Sequence, residues 1–161
     1  AEQLYTNGVH AESPASGKSG YASDIASIRN FKKAILLVIH AATKHFGKEI
    51  MSEQEVLNNI SEMMMETYVA ESMALRVEKL RTLKGEAAAA IYRDILDVYL
   101  YDAADELRKQ GCDAANALGN EEMAGHLVKE IESCTRTGSV NIKSARRRIA
   151  DRLIEENVYK F

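Results

Sequence analysis

The chain has 161 residues, a length that suits one domain with its own hydrophobic core. Its net charge is −3 at pH 7 with both signs interspersed, so its composition implies no general attraction to nucleic acid or to an anionic membrane. A single proline and an abundance of Ala, Glu, Lys, Arg, Leu and Met predict an all-helical fold. The longest apolar run, residues 34–39, is far shorter than the ~20 residues that span a bilayer, so we expect no transmembrane helix.

The N-terminal segment, residues 1–22, has no sustained hydrophobic period and contains turn residues such as Asn7, Gly8 and Pro14. We interpret it as a linker or flexible tail, and we assign residues 23–161 to the helical bundle. The string SGKS within this segment resembles the end of a phosphate-binding loop. Such a loop requires glycine at position 12, where this chain has Glu12, so we reject a nucleotide-binding loop.

The first predicted helix covers residues 23–46 and ends at Gly47. One face is apolar at helical spacing, and the back of the helix carries further apolar residues. Leu36 and Leu37 belong to that back, so we expect them to contact something outside the inner face, either another helix of the bundle or another domain or subunit. The inner face consists of Ile28, Phe31, Ile35, Val38, Ile39, Ala42 and Phe46.

One long organising helix is predicted over residues 52–84 and ends at Gly85. Ser52 and Glu55 have the spacing of a capping box, in which the hydroxyl and the carboxylate satisfy first-turn amides. Its predicted inner face consists of Val56, Leu57, Ile60, Met63, Met64, Thr67, Ala74, Leu75 and Val77. A helix of this length can cover such a face only with other helices laid alongside it.

Three further helices follow, and their short connections predict up-and-down packing. The third is expected to face inward with Ile91, Tyr92, Ile95, Val98, Tyr99 and Ala103 and to end at Gly111, before an Ala-rich turn. The fourth and fifth are expected to begin after the capping residues Asn120 and Asn141. Their ranges are 86–110, 121–134 and 142–156. The sequence therefore predicts an up-and-down bundle of four to five helices.

Three carboxylates, those of Glu71, Glu78 and Asp102, project onto inner faces that are otherwise apolar. An unpaired buried carboxylate costs several kcal/mol, so each needs a partner. Arg146 and Arg152 flank the inner face of the last helix, and a guanidinium group can satisfy two carboxylate oxygens at once. We expect at least one of the three carboxylates to pair with one of these arginines, which would fix helix register.

No arrangement of residues indicates catalysis or metal binding. A di-iron bundle requires two Glu-x-x-His motifs, whereas Glu122 and His126 are spaced by four and unrepeated. The arginine run 146–148 points in three directions on a helix and is followed by acids, which does not fit a nucleic-acid interface. Cys112 and Cys134 could meet, but their number and spacing favour a reducing, cytoplasmic setting. We assign no catalytic, cofactor-binding or metal-binding residue.

Four separated segments resemble, in order, the extra C-terminal helical domain of bacterial acyl-CoA dehydrogenases of the very-long-chain type. They are FKKAI at 31–35, ETYVAESMALRVEKL at 66–80, YLYDAAD at 99–105 and RRIADRLIEEN at 147–157. The resemblance covers about 130 residues. It implies a parent enzyme with bound FAD that oxidises acyl-CoA to trans-2-enoyl-CoA in fatty-acid β-oxidation and passes electrons to an electron-transfer flavoprotein.

The family's flavin-binding and catalytic segments would precede these residues, so the resemblance implies no cofactor and no catalytic residue within this chain. It implies instead a non-catalytic domain that packs on the catalytic core of the parent. Subunit organisation as a homodimer and docking at a membrane surface are further roles of such domains, although this sequence gives the membrane role no support of its own. We expect a cytoplasmic location, with a position peripheral to the inner membrane left open. The alternative is a free-standing helical adaptor without enzymatic activity.

Overall fold

The computed structural model describes residues 20–119, 121–138 and 140–157. They form five α-helices and contain no strand, which confirms the prediction of an all-α bundle. The elements are α1 (Tyr21–Phe46), a 3₁₀ turn (Gly47–Ser52), α2 (Gln54–Lys84), α3 (Glu86–Asn116), α4 (Glu121–Cys134) and α5 (Ile142–Glu156). Among the described residues, no helix combines the length and hydropathy that crossing a membrane requires.

The helix ends show which capping predictions hold. Gly47 has a φ of 55°, a left-handed conformation that favours glycine, and its N–H donates to the Thr43 carbonyl at the end of α1. Asn141 accepts a hydrogen bond from the Ser144 N–H at 3.1 Å, as expected of the cap of α5. The cap predicted at Asn120 lies outside the described residues. Helix α1 begins at Tyr21, two residues before its predicted start, and residues 1–19 of the predicted linker lie outside the described residues.

The capping box predicted at Ser52 is wrong. Helix α2 begins at Gln54, its N-cap position is Glu53, and no side chain caps it. Ser52 belongs instead to the 3₁₀ turn, where the Glu53 N–H donates to the Ile50 carbonyl at 3.1 Å. Ile50 is partly buried and packs against the core, so burial of this side chain favours the tight turn over an earlier helix start.

Helix α3 is central, because it contacts α1, α2, α4 and α5. Helix α2 packs on α1 and α3, and α4 packs on the same two helices, whereas α5 packs on α3. The largest fully buried side chains include Ile28, Phe31, Val38, Val56, Met63, Leu96, Leu107, Leu118 and Ile131. The core therefore lies among α1 to α4, with α5 on the outside of α3.

Parts of the predicted inner faces are wrong. In α2, Met64 and Leu75 are exposed, and Ala70, which was not assigned to the inner face, is fully buried, whereas Ala74 is buried as predicted. In α3 the fully buried residues are centred on Leu96 and Leu107, whereas most of the predicted residues, Ile91, Tyr92, Ile95, Val98 and Tyr99, are half-buried. Small residues let α2 approach closely, which rotates its contact face toward the alanines.

Helix α3 does not end at Gly111 but continues to Asn116, so Cys112 lies within the helix rather than in a connection. Gly111 is buried. A Cβ atom at this position would lie 3.0 Å from Ile131 Cγ2 in α4 and 3.3 Å from Met63 Cε in α2. The glycine is therefore required for close helix packing rather than for a helix end.

Candidate functional site

Among the described residues, no group of three or more His, Cys, Asp or Glu side chains could hold a metal ion. Cys112 and Cys134 are free thiols, and burial raises the pKa of both, which disfavours the reactive thiolate. The features that invite a functional interpretation are ion pairs and exposed surfaces.

The structure brings together two of the five ion-pair candidates from different helices. Arg146 Nη2 lies 2.8 Å from Asp102 Oδ1, linking α5 to α3. Glu71 instead pairs with Lys32 of α1 at 2.6 Å. The other two candidates pair with residues of their own helices. In α2, Glu78 accepts a hydrogen bond from Arg81, which lowers the pKa of the Glu78 carboxyl. In α5, Arg152 pairs with Glu156.

The expectation that these carboxylates are buried is wrong, because Glu71, Glu78 and Asp102 all remain partly exposed. At about 100° per residue, Glu71 projects about 100° away from the fully buried Ala70. It therefore lies at the edge of the α2 contact face, and Glu78 falls on the same edge. At that edge solvent and a long basic side chain can satisfy both carboxylates.

A double-mutant cycle on Asp102→Ala and Arg146→Ala is expected to give a coupling energy of only about 0.2–1 kcal/mol. Both side chains are more than half exposed, at 55% and 56%, so water and salt screen their attraction. Urea unfolding of the two single variants and the double variant measures the coupling. A coupling energy above about 2 kcal/mol would instead support a dominant role of this pair in helix register.

The structure contains two charged contacts between helices that were not predicted from the sequence. Arg93 Nη1 lies 2.6 Å from Asp24 Oδ2, linking α3 to the first turn of α1. Arg148 donates to both carboxylate oxygens of Asp94, at 2.7 and 2.5 Å. One signal was available for the first: Asp24 stands four residues before Ile28, so it continues the inner face of α1. The basic partner, 69 residues away, had no such signal.

The Asp24–Arg93 ion pair between α1 and α3 is largely buried. The Asp24 side chain is 6% exposed, and burial raises the pKa of its carboxyl to about 6, despite the attraction of Arg93. Asp97 adds a like charge and raises that pKa further. Arg93 Nη2 is buried without a hydrogen-bond partner among the described residues. This pair is therefore sensitive to pH and costly to disturb.

A second polar contact links α2 to α3. The Tyr99 hydroxyl donates to Glu66 Oε2 at 2.6 Å. Burial and this hydrogen bond raise the pKa of Tyr99 well above its usual range, so the phenol stays protonated and acts as a donor.

The outward side of α2 carries an unusual set of exposed apolar side chains, which we call the α2 apolar face. It consists of Met64, Met65, Tyr68, Val69, Leu75 and Leu83. At about 100° per residue they fall within roughly 140° of one another around the helix. Among the described elements, only α1, α3 and the 3₁₀ turn contact α2, and all lie on its other sides. Tyr68 is 72% exposed.

The docking candidates on α1 behave differently from each other. Leu37 is half-buried and packs against the core, so it belongs to the bundle. Leu36 is 64% exposed. Because α1 and α2 run antiparallel and Lys32 pairs with Glu71, Leu36 lies one turn along from that pair, beside the level of Tyr68. Leu36 therefore extends the α2 apolar face onto α1.

The fold is that of an all-α helical domain. The model of the family described as "Acyl-CoA dehydrogenase, C-terminal domain" matches residues 30–127, so the chain belongs to this family. A curated relative, a "Probable acyl-CoA dehydrogenase" of Bacillus subtilis (strain 168), is 25% identical over 132 residues. That alignment covers 82% of this chain and 22% of the relative.

A solved structure has the same fold. It is the crystal structure of an acyl-CoA dehydrogenase complexed with FAD from Bacillus anthracis, with a TM-score of 0.84 and 24% identity. The similarity covers 99% of this chain and 26% of that chain. The chain therefore spans about a quarter of the length of the proteins that it matches.

Proposed function

We propose that this chain is the non-catalytic C-terminal domain of an FAD-dependent acyl-CoA dehydrogenase of the very-long-chain type, and that it packs on the catalytic core of the parent. The α2 apolar face is the observation that carries the proposal. An apolar patch of this extent on a soluble domain marks an interface rather than an ordinary surface. Tyr68 and Leu36 lie at its centre and edge, and both are largely exposed.

The catalytic core is the occupant that best fits this face. The matched relatives carry about three quarters of their length outside the region that this chain covers. A domain joined to a larger partner in the same chain meets it at high effective concentration, so a modest interface suffices to hold the two together. Helix α2 has 31 residues, and the exposed apolar side chains extend along it from Met64 to Leu83.

In this proposal the chemistry belongs to the core. FAD bound there oxidises the acyl-CoA to the trans-2-enoyl-CoA, and an electron-transfer flavoprotein accepts the electrons. The present domain supplies packing and subunit organisation, including a homodimer of the parent, and the parent acts in the cytoplasm or at the surface of the inner membrane. The Bacillus anthracis acyl-CoA dehydrogenase forms a complex with FAD, which supports FAD as the cofactor of the parent.

The docking proposal predicts slower hydrogen exchange in α2 within the full-length enzyme than in the 161-residue chain. Tyr68→Glu with Leu75→Glu should abolish this difference, because each carboxylate would be desolvated at the interface. His126→Glu with Lys129→Glu places acidic groups on α4, which does not contact α2, and should leave the difference intact. Equal exchange of α2 in the long and short chains would contradict docking.

The assignment as a non-catalytic domain makes a separate prediction. The 161-residue chain should retain no FAD and show no dehydrogenase activity, because no segment offers a Gly-rich phosphate loop or a catalytic carboxylate in the family's sequence context. Absorbance of the purified chain after gel filtration measures bound flavin. A flavin spectrum that co-elutes with the chain would overturn this assignment and leave the docking experiment unaffected.

A further inference from the structure

Helix α5 is attached to the bundle differently from the other helices. Among the described elements it contacts α3 alone, and Ala145 is its only fully buried residue. Two arginine–aspartate contacts, Arg146 with Asp102 and Arg148 with Asp94, supplement a narrow apolar contact. Most of the circumference of α5 is therefore free to meet something else.

The free side of α5 is basic in its first half. Residues 142–150 include Lys143, Arg146, Arg147 and Arg148 and contain no acidic residue. Arg146 and Arg148 are paired with carboxylates of α3. Lys143 and Arg147 are exposed and four residues apart, so they project from the same side of the helix.

A groove lies beside these two cations, between α5 and α3. Its volume is about 510 Å³, and its lining combines Lys143 and Arg147 with Tyr101, Val140 and Ala150. Tyr101 and Val140 are partly exposed apolar side chains. The groove thus places an aromatic ring and aliphatic carbon next to two cations that form no ion pair within the described part of the chain.

We infer that this groove binds an acidic protein segment that inserts an aliphatic or aromatic side chain between flanking carboxylates. Complementary charge selects the partner, since Lys143 and Arg147 would each gain a carboxylate. The apolar lining would receive the inserted side chain and exclude water from the ion pairs. This surface lies on α5 and α3, apart from the α2 apolar face, so the inference stands whether or not the docking proposal holds.

A protein segment fits this groove better than an anionic membrane does. Recognition of acidic lipids is typical of clusters of about four to eight basic residues, and each contributes about 1 kcal/mol. Here Lys143 and Arg147 are the two basic groups of the groove not already paired with an α3 carboxylate, and the chain as a whole has a net charge of −3. A protruding side chain also fits into a concave groove, whereas a flat bilayer surface does not.

Fluorescence anisotropy with a labelled peptide of repeating Glu-Glu-Leu units tests the inference. We expect the unmodified chain to bind it with an affinity that falls as salt rises to about 0.5 M. Lys143→Glu with Arg147→Glu should weaken binding by about tenfold or more. The matched control, Lys48→Glu with Lys129→Glu, makes the same change in net charge at exposed positions elsewhere and should leave binding within about twofold.

Tyr101→Ala separates groove binding from general attraction. It should weaken binding of the Glu-Glu-Leu peptide but not of a polyglutamate peptide of equal charge, because only the first has a side chain to insert. Equal weakening by both charge-reversal variants would overturn the inference. It would also be overturned if the Lys143 and Arg147 variant lost binding to phosphatidylglycerol vesicles while keeping the peptide.

Discussion

Replacing Gly111 by leucine is expected to destabilise the bundle by about 3 kcal/mol. The glycine lies near the C-terminal end of α3, five residues before Asn116, where α4 approaches so closely that even a Cβ would come within 3.0 Å of Ile131 Cγ2 and 3.3 Å of Met63 Cε. Both neighbours are fully buried. A branched side chain would have to separate α3 from α4 or displace both neighbours, and either change would open gaps in a close-packed core.

Two further variants show how much of the destabilisation by Gly111→Leu comes from steric packing. Gly111→Ala gains about 1 kcal/mol of helix propensity but forces its neighbours to yield by a few tenths of an ångström, so we expect a net change within about 1 kcal/mol. Gly125→Leu places the same large side chain in α4 at a glycine with no atom near its would-be Cβ, and it should be neutral or stabilising. Urea unfolding compares the three. If Gly111→Leu were as stable as Gly125→Leu, the close approach of α3 and α4 would be wrong.

Gly111 also illustrates a limit of reading helix boundaries from sequence. A glycine after a helical run is typical of a C-cap, and Gly47 and Gly85 both follow that rule with positive φ. Gly111 has the same local signal but continues the helix, because its lack of a side chain serves a neighbour that lies 20 residues further along the chain. Local patterns cannot distinguish these two uses of glycine.

The inner faces show a related limit. Helical periodicity was sufficient to predict five helices and most of their bounds, including the end of α1 at Phe46 and both ends of α5. It placed Met64 and Leu75 inside because they are apolar, whereas both are exposed, and it missed Ala70, which is fully buried like the correctly placed Ala74. The apolar residues left outside form the α2 apolar face. A periodicity argument assumes that apolar residues face the chain's own core, so it cannot identify apolar residues that stay exposed.

One of the ion pairs between helices could be proposed from the sequence, and two could not. Asp102 and Arg146 could be proposed as partners because each lay at the inner side of a helix with short connections. The partners Asp24 and Arg93 are 69 residues apart, and Asp94 and Arg148 are 54 apart. Their pairing depends on how α3 crosses α1 and α5, and nothing in the sequence specifies that geometry.

Replacing Arg93 by methionine is expected to cost about 3 kcal/mol of stability at neutral pH. It would leave the Asp24 carboxylate, which is 6% exposed, without its partner and beside the like charge of Asp97. Glu78 of α2 would also lose the attraction of Arg93. Methionine keeps most of the apolar stem of arginine, so the loss reports charge rather than packing.

The cost should depend on pH in a defined direction. Because burial raises the pKa of Asp24 from 3.8 to about 6, the folded state favours the protonated carboxyl. This group's contribution to stability is therefore full below about pH 4 and is lost as pH rises through 6. Without Arg93 the carboxyl pKa rises further, so the penalty of Arg93→Met should grow between about pH 5 and pH 8 and shrink to about 1 kcal/mol at the acidic end.

Urea unfolding of the unmodified chain and of Arg93→Met at about pH 5 and about pH 8 measures this penalty. The matched control is Asp24→Asn alone compared with Asp24→Asn combined with Arg93→Met. An amide cannot titrate, so the effect of removing Arg93 in that background should be nearly constant with pH. A pH-independent penalty in the presence of Asp24 would mean that its carboxyl keeps the same charge throughout the range, and that Arg93 stabilises the bundle by packing and hydrogen bonding rather than by compensating a buried acid.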